Sequence, residues 1–302
     1  MILNENQCGF RKGYSTTDNL FVIHTLFEIL KLKKKKLFCA FVDFEKAFDT
    51  IWRDALWYKM LLNNMNGCMY NVIVNMYQGT KSCISYNNAL SDFFPCSNGV
   101  RQGENLSPFL FSLFLNDLDS FLQNCNLEGL KSVSKELEEK LDIFLKLFII
   151  LYADDTVLMA ESETELQKLL DCFQDYTDVW KLKVNVDKTK VVVFSRRRPS
   201  CNFQFLFNGK KLDIVDEFNY LGIVLTRTGN FNKTKQFNVE KATKALYEVL
   251  RLGRLHNLSI CSQLDLFDKM VKPILLYGCE VWGIGNNDMI ERVHLKFCKL
   301  LL

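Results

Sequence analysis

The sequence predicts an α+β fold on three observations. Short apolar runs of strand length, "LFCAFVDF" (37–44) and "LFIILYADDTVLMAE" (147–161), stand apart from stretches with apolar residues at helical spacing, such as 16–32 and 163–180. No internal repeat or Pro-, Gly- or Ser-rich linker divides the chain, which has 4 Pro and 14 Gly in 302 residues. That length allows a sizeable core and about two subdomains.

The elements follow in order. Residues 16–32 begin at a Thr/Asp start signal, and the lysine run "KLKKKK" (31–36) ends the helix. "LFCAFVDF" then reads as a buried strand ending at Asp43. The stretch "EKAFDTIWRDALWYKMLLNNM" (45–65) reads as one helix that Asp49 or Thr50 would cap. Residues 81–86 and 93–96 suggest a hairpin around "NNALS", and "SPFLFSLFLNDL" (107–118) a helix with Ser107 as N-cap and Pro108 as first helical residue. The polar, mixed-charge residues 119–142 read as a surface insertion. Strands at 146–152 and 156–160 leave Asp154 and Asp155 at a tight turn. An amphipathic helix over 163–180, strands at 190–195 and 218–226 with turn signals at "TGN" (228–230), and helical periodicity from 236 to 302 complete the chain.

Composition removes several classes. The 11 cysteines are odd in number, include no C-x-x-C, and have no His pair at zinc-finger spacing, so neither a disulfide framework nor a structural zinc site is indicated. A reducing intracellular setting fits, with nucleus and cytoplasm both open. No apolar run reaches the 18 to 20 residues of a membrane span, and "MILNENQCGF" lacks a signal-peptide layout. The reading is therefore a soluble protein without membrane partners. Net charge is only +3, yet residues 181–254 hold 16 Lys+Arg against 6 Asp+Glu, a net of +10. A basic side beside an acidic centre suits a phosphate polymer and a carboxylate-held metal; solvated faces account equally well for charge alone.

The chemistry concentrates at three aspartates. An ionised carboxylate in an apolar setting costs several kcal/mol unless paired, hydrogen-bonded or metal-bound, and like charges about 4 Å apart repel by roughly 4 kcal/mol at an effective dielectric near 20. Asp154 and Asp155 therefore need solvent or a cation. Asp43 ends a second strand-like run of the same kind. Two strands delivering carboxylates to one place would make a divalent metal site of oxygen ligands. Strand-end aspartates also serve as turn residues, so spacing alone leaves both readings open.

Six segments in order carry a resemblance: "QCGFRKGYSTTDNL", "FVDFEKAFD", "NGVRQGENLSPFLFSLFLNDL", "LYADDTVLMAES", "VNVDKTKVVVF" and "FNYLGIVLTRTGNF". From Gln7 to the end the chain resembles the reverse transcriptase domain of a non-LTR (LINE-type) retrotransposon. The resemblance implies a right-hand polymerase with partial fingers (1–37), an antiparallel-sheet palm (38–226, with fingers elements at 60–95 and the insertion at 119–142) and a helical thumb (227–302). It implies two Mg²⁺ ions, with Mn²⁺ as the alternative, and an RNA template, a DNA primer and deoxynucleoside triphosphates as partners.

Residue by residue, the resemblance implies that Asp43 and Asp154 hold both ions with the backbone carbonyl of Phe44, and that Asp155 is the more peripheral third aspartate. Phe48 matches the bulky ring that excludes a ribose 2′-hydroxyl, and Asp49 is a helix cap instead of a further ligand. Gln102 and Gly103 of "GVRQGENLSP" match the loop approaching nucleotide and template, where relatives carry Asp-Pro in place of Glu104-Asn105; Arg101 contacts template phosphate or is solvated. Lys188 matches the lysine that protonates the leaving pyrophosphate. Tyr220, Leu221 and Gly222 match the primer grip, and the basic region through 254 would track the duplex by its backbone and shape. The expected function is RNA-directed DNA polymerase in retrotransposition, in a chain expected to be truncated at its N-terminus and in its thumb. The other class is a remnant that binds nucleic acid without turnover.

Overall fold

Leu37–Val42 carries no polar side chain, and all six residues are buried because both faces of this strand are covered. The computed structural model describes residues 3–4, 6–125, 127, 129–130, 149–196 and 203–301. Helix α1 (Thr16–Leu32) leads into that strand, β1, and α2 (Ala47–Thr50), α3 (Arg53–Leu62) and α4 (Gly67–Tyr77) follow. Short strands β2 (Lys81–Ser82), β3 (Ser85–Tyr86), β4 (Ala89–Leu90) and β5 (Phe94–Pro95) precede α5 (Ser107–Phe114) and α6 (Leu118–Asn124). Then come β6 (Ile149–Tyr152), β7 (Asp155–Ala160), the helix Glu163–Val179 and β8 (Lys190–Phe194). Small strands β9 (Leu206–Phe207), β10 (Lys210–Lys211) and β11 (Asp213–Val215) lead to the hairpin β12 (Glu217–Tyr220) and β13 (Ile223–Thr226). A helical region opens with Asn232–Leu255 and closes with Asp288–Leu301.

Five strands form the central sheet in the order β11-β8-β1-β7-β6. The pairs of β1 with β7 and β8, and of β6 with β7, are antiparallel, whereas β11 joins β8 in parallel at the edge. Alternation splits β1 between two cores. Phe38, Ala40 and Val42 face a cluster with Leu56, Phe111, Phe114, Leu166 and Phe173; Leu37, Cys39 and Phe41 face one with Leu20, Phe27, Tyr220, Ile223 and Leu246. Helices therefore cover both sides of the sheet, and β1 reads as unbroken apolar sequence.

Helix α1 starts in a capping box: Ser15 Oγ accepts from the Thr17 N–H at 3.0 Å, and Asp18 Oδ2 accepts from the Ser15 N–H at 2.6 Å. The expected hairpin turns at Asn87–Asn88, where φ of +48° and +61° suits Asn. No helix among the described residues is long and apolar enough to cross a membrane, and the described cysteines are free thiols.

Several local expectations need correction. The stretch 45–65 is two helices, not one, because Ile51 is extended (φ −52°, ψ 126°) between α2 and α3. Loop residues 99 and 100 cause the break: the Gly99 N–H donates to Ile51 O at 2.8 Å and the Val100 N–H to Phe48 O at 2.7 Å. Neither Asp49 nor Thr50 caps a helix; both lie inside α2, whose N-cap is Lys46. The N-cap of α5 is Leu106, with Ser107 one position inside and its hydroxyl donating to Arg101 O. Residues 218–226 are a hairpin turning at Leu221–Gly222, not one strand. Residues 119–124 are not surface insertion but lie in α6, which buries Leu118 and Leu122; positions 126, 128 and 131–142 of that expected insertion lie outside the described residues.

Charged side chains also enter the interior, Lys59 most deeply among the described residues. Lys59 of α3 is 1% exposed, and its Nζ donates to Phe114 O at 2.6 Å, Asp117 Oδ1 at 2.6 Å and the Tyr176 hydroxyl at 2.7 Å. The Trp180 ring lies 3.8 Å from it. Burial pushes the Lys59 pKa down to about 8, against the pull of Asp117. Below pH 8 the ammonium is charged in both folded and unfolded chains; between about 8 and 10.5 the unfolded chain binds the extra proton. Stability from this residue is thus present at high pH and lost as pH falls through 8. Lys59→Met is expected to flatten the rise in unfolding free energy between pH 7 and 9.5, by about 1 to 2 kcal/mol, in urea titrations at each pH.

Candidate active site

The register of the central sheet builds the site. The last pairs of β1 with β7 run Phe41↔Val157 and Val42↔Thr156, so the next position sets Asp43 opposite Asp155. Opposed residues in an antiparallel pair share a face, with Cβ atoms about 5 Å apart. Asp154 is the second residue of the two-residue turn joining β6 to β7. Its neighbour Ala153 has φ +56°, a conformation in which a Cβ costs about 1 to 2 kcal/mol.

A strap, residues 183–189, fixes the end of β1. The Asn185 N–H donates to Asp43 O at 2.8 Å and the Glu45 N–H to Lys183 O at 2.7 Å. The Asp43 N–H donates to Thr189 Oγ1 at 3.3 Å. The strap brings Lys188 Nζ to 3.8 Å from Asp43 Oδ2, both side chains being well exposed. A cavity of about 520 Å³ opens here, lined among others by Asp43, Asp155, Asp187, Lys188, Glu217 and Tyr220.

Strand β12 of the β12–β13 hairpin also lines that cavity, through Glu217–Tyr220. Leu221 and Gly222 both have positive φ, +47° and +79°, the signature of a type I′ turn. Tyr277 holds the turn, its hydroxyl donating to Leu221 O at 2.9 Å, and a Cβ on Gly222 would sit 3.0 Å from the Tyr277 ring. Buried Asn19 of α1 joins hairpin to sheet, its Nδ2 donating to the Tyr220 hydroxyl and to Leu151 O, each at 3.2 Å.

Electrostatics ties the three aspartates together. Burial raises the Asp154 pKa, with a further push from Asp43. Burial, then Asp154, then Asp43 push Asp155 up to about 6. Like charges in mutual reach are the donor chemistry that a divalent ion with oxygen ligands satisfies. Among the described residues, however, no three His, Cys, Asp or Glu side chains are gathered closely enough to form a complete ligand group.

Of the expected residues, Asp43, Asp155, Lys188 and Tyr220 line the cavity, whereas Asp154, Leu221, Gly222 and the others do not. Phe44 turns its ring into the core against Phe111 and Phe173, leaving only its backbone to serve a site. Phe48 is half-buried with its ring 5.2 Å from Phe111. Gln102 and Gly103 are exposed in the loop before α5, whose close approach is made by Gly99: a Cβ there would lie 2.5 Å from Asp49 O. Arg101 is engaged locally, donating to Glu104 Oε1 at 2.9 Å and Met76 O at 2.8 Å. Sequence reasoning gave no part to Gln7, Asn19, Asp187 or Glu217. Gln7, Asn19 and Asp187 lie inside the motif segments and Glu217 just before one, but nothing in the sequence identifies their partners.

The model of the family described as reverse transcriptase (RNA-dependent DNA polymerase) matches residues 1–225. Among curated proteins, the RNA-directed DNA polymerase from mobile element jockey of Drosophila melanogaster is 27% identical over 98% of this chain and 31% of its own length. The probable RNA-directed DNA polymerase from transposon X-element of the same organism is 23% identical over 97% of this chain and 31% of its own. The chain spans about a third of the length of these relatives. A solved structure of telomerase from Candida albicans with a fragment of telomeric RNA covers 95% of this chain and 48% of its own, at 13% identity and a TM-score of 0.47.

A carboxylate whose folded pKa lies above its unfolded value contributes stability below pH about 4 that is lost as pH rises through about 6. Asp155→Asn is therefore expected to melt higher than the parent at pH 7.5 in chelator and equally at pH 4. Solvent in the cavity screens the charge and holds the gain below about 1 kcal/mol, or 1 to 3 °C.

Proposed function

Since the chain belongs to the reverse transcriptase (RNA-dependent DNA polymerase) family, we propose that it extends a DNA primer on an RNA template, as the polymerase domain of a non-LTR retrotransposon protein. The observation that carries this reading is the strand register that sets Asp43 opposite Asp155, with Asp154 on the adjoining turn. Asp43 and Asp154 would hold two divalent ions, magnesium or manganese, with Asp155 beside them. Bound there, such ions lower the pKa of the attacking hydroxyl and neutralise charge on the leaving group.

The chain's own residues supply the rest. Lys188, 3.8 Å from Asp43, would give a proton to the departing pyrophosphate. The Tyr220–Gly222 turn, pinned by Tyr277 and Asn19, presents backbone to a primer terminus across the cavity from the aspartates. Exposed Lys241, Lys244 and Arg254 on the Asn232–Leu255 helix suit a duplex backbone, which is bound through phosphates without base readout. Phe48, steadied by Phe111, is the ring that would meet a ribose 2′-hydroxyl. Gln102 and Gly103 belong to the loop that would approach nucleotide and template; Arg101 serves there only after leaving Glu104.

Primer extension on an RNA template with Mg²⁺ tests the reading. The parent chain is expected to extend, and Asp154→Ala to lose about a thousandfold or more in turnover. Equal extension by both overturns the assignment of Asp154, and binding of primer–template with no extension by the parent favours the remnant reading. Phe48→Val is expected to raise ribonucleotide incorporation relative to deoxynucleotide by about tenfold or more, read from single-nucleotide insertion kinetics.

A further inference from the structure

Ala153, 4% exposed, sits at the first position of the turn that carries Asp154, with φ +56°. A non-glycine residue keeps such a conformation only where its surroundings over-determine it. The surroundings here come from the far end of the sequence. Gln7 is 1% exposed, and its Oε1 accepts from the Ala153 N–H at 3.0 Å while its Nε2 donates to Ala153 O at 3.4 Å. Both backbone groups of the strained residue thus end on one carboxamide.

The carboxamide is itself held. Oε1 also accepts from the Gly9 N–H at 3.0 Å. On either side of Gln7 the main chain pairs with β6: the Leu151 N–H donates to Asn6 O at 2.9 Å, and the Cys8 N–H to Leu151 O at 3.0 Å. Arg11 Nη1 donates to Asn4 O at 2.9 Å and Gln7 O at 3.3 Å. A Cβ on Gly9 would lie 2.3 Å from Ala153 N, so only glycine permits this approach.

We infer that Gln7 is a positioning residue for the reaction: its buried carboxamide fixes the Ala153 turn and thereby sets where the Asp154 carboxylate stands against Asp43. Glutamine is suited because the turn offers one donor and one acceptor, and no other uncharged side chain of that reach supplies both complements. The kinetic consequence rests on the polymerase reading above; the geometric one does not. Displacing a reacting group by about 1 Å lowers turnover on the order of a hundredfold while leaving distant binding contacts intact.

The test uses Gln7→Met, equal in length and without polar atoms, and Gly9→Ala, which pushes the segment off Ala153 while leaving Gln7 in place. Both are expected to lower kcat for primer extension by about tenfold to a hundredfold, with KM for the nucleotide and Kd for primer–template within about twofold. Amide hydrogen exchange at Ala153 is expected to speed by at least about tenfold in each. Adding Ala153→Gly to Gln7→Met, which removes the need to enforce a positive φ, is expected to recover turnover. Val249→Ala, in the core of the Asn232–Leu255 helix, serves as a comparably destabilised control with kcat retained. Unchanged kcat in Gln7→Met, an equal fall in Val249→Ala, or no recovery with Ala153→Gly overturns the inference while the polymerase reading stands. Should the parent fail to extend primers, the polymerase reading falls, and unchanged Ala153 exchange in Gln7→Met overturns the clamp as well.

Discussion

Everything at the candidate site depends on β1 being buried on both faces and paired on both edges. A strand in that position cannot slip: a shift of one residue against β7 would send Phe38, Ala40 and Val42 to the wrong core and turn Asp43 away from Asp155. Two apolar clusters, one beneath each face, therefore fix the relative height of two carboxylates to within one residue. The surrounding hydrophobicity is the mounting of the aspartates, and the strands stop where the chain must meet solvent. The same logic places Lys188, because the 183–189 strap pairs with the backbone of Asp43 and Glu45 just past the end of β1.

How much of this is legible in sequence follows the reach of each interaction. Helix α1 is readable because its capping box and apolar spacing lie within a few residues of one another. The strand character of β1 and β7 is readable because continuous burial writes a continuous apolar run. The register between them is not, since no local feature of "LFCAFVDF" names Thr156 as the partner of Val42. The break at Ile51 is invisible for the same reason: the groups that capture it belong to Gly99 and Val100, about fifty positions away in the chain. The β12–β13 turn is hidden by chemistry as well as distance. Asn-Gly would have announced it, whereas Leu221 in the left-handed region does not.

Leu221 and Ala153 form a pattern. The two turns at the candidate site, one bearing Asp154 and one joining β12 to β13, each carry a side chain where glycine or asparagine is the easy choice. Each is held by a residue remote in sequence, Gln7 in one case and Tyr277 in the other. Helix α1 and the segment before it bind both turns into one body, since Asn19 reaches Tyr220 and Leu151 together and Thr16 Oγ1 lies 3.1 Å from the Tyr277 hydroxyl. Strain that is enforced from outside the turn gives a single conformation; a glycine turn in open solvent gives several.

That rigidity bears on the charges. A carboxylate on a free turn relieves repulsion by swinging into water at little cost, and its pKa then stays ordinary. Burial and Asp43 raise Asp154, and burial, Asp154 and Asp43 raise Asp155, while the Asp155 side chain stays open to solvent at the start of β7. Repulsion among them is lowered by whatever brings positive charge to that spot. The apolar strands, the enforced turn at Ala153 and the buried Gln7 therefore act toward one end: they keep negative charge concentrated at the mouth of a cavity whose rim already holds Lys188. The affinity of such a site for cations is a property of the fold around it as much as of the aspartates themselves.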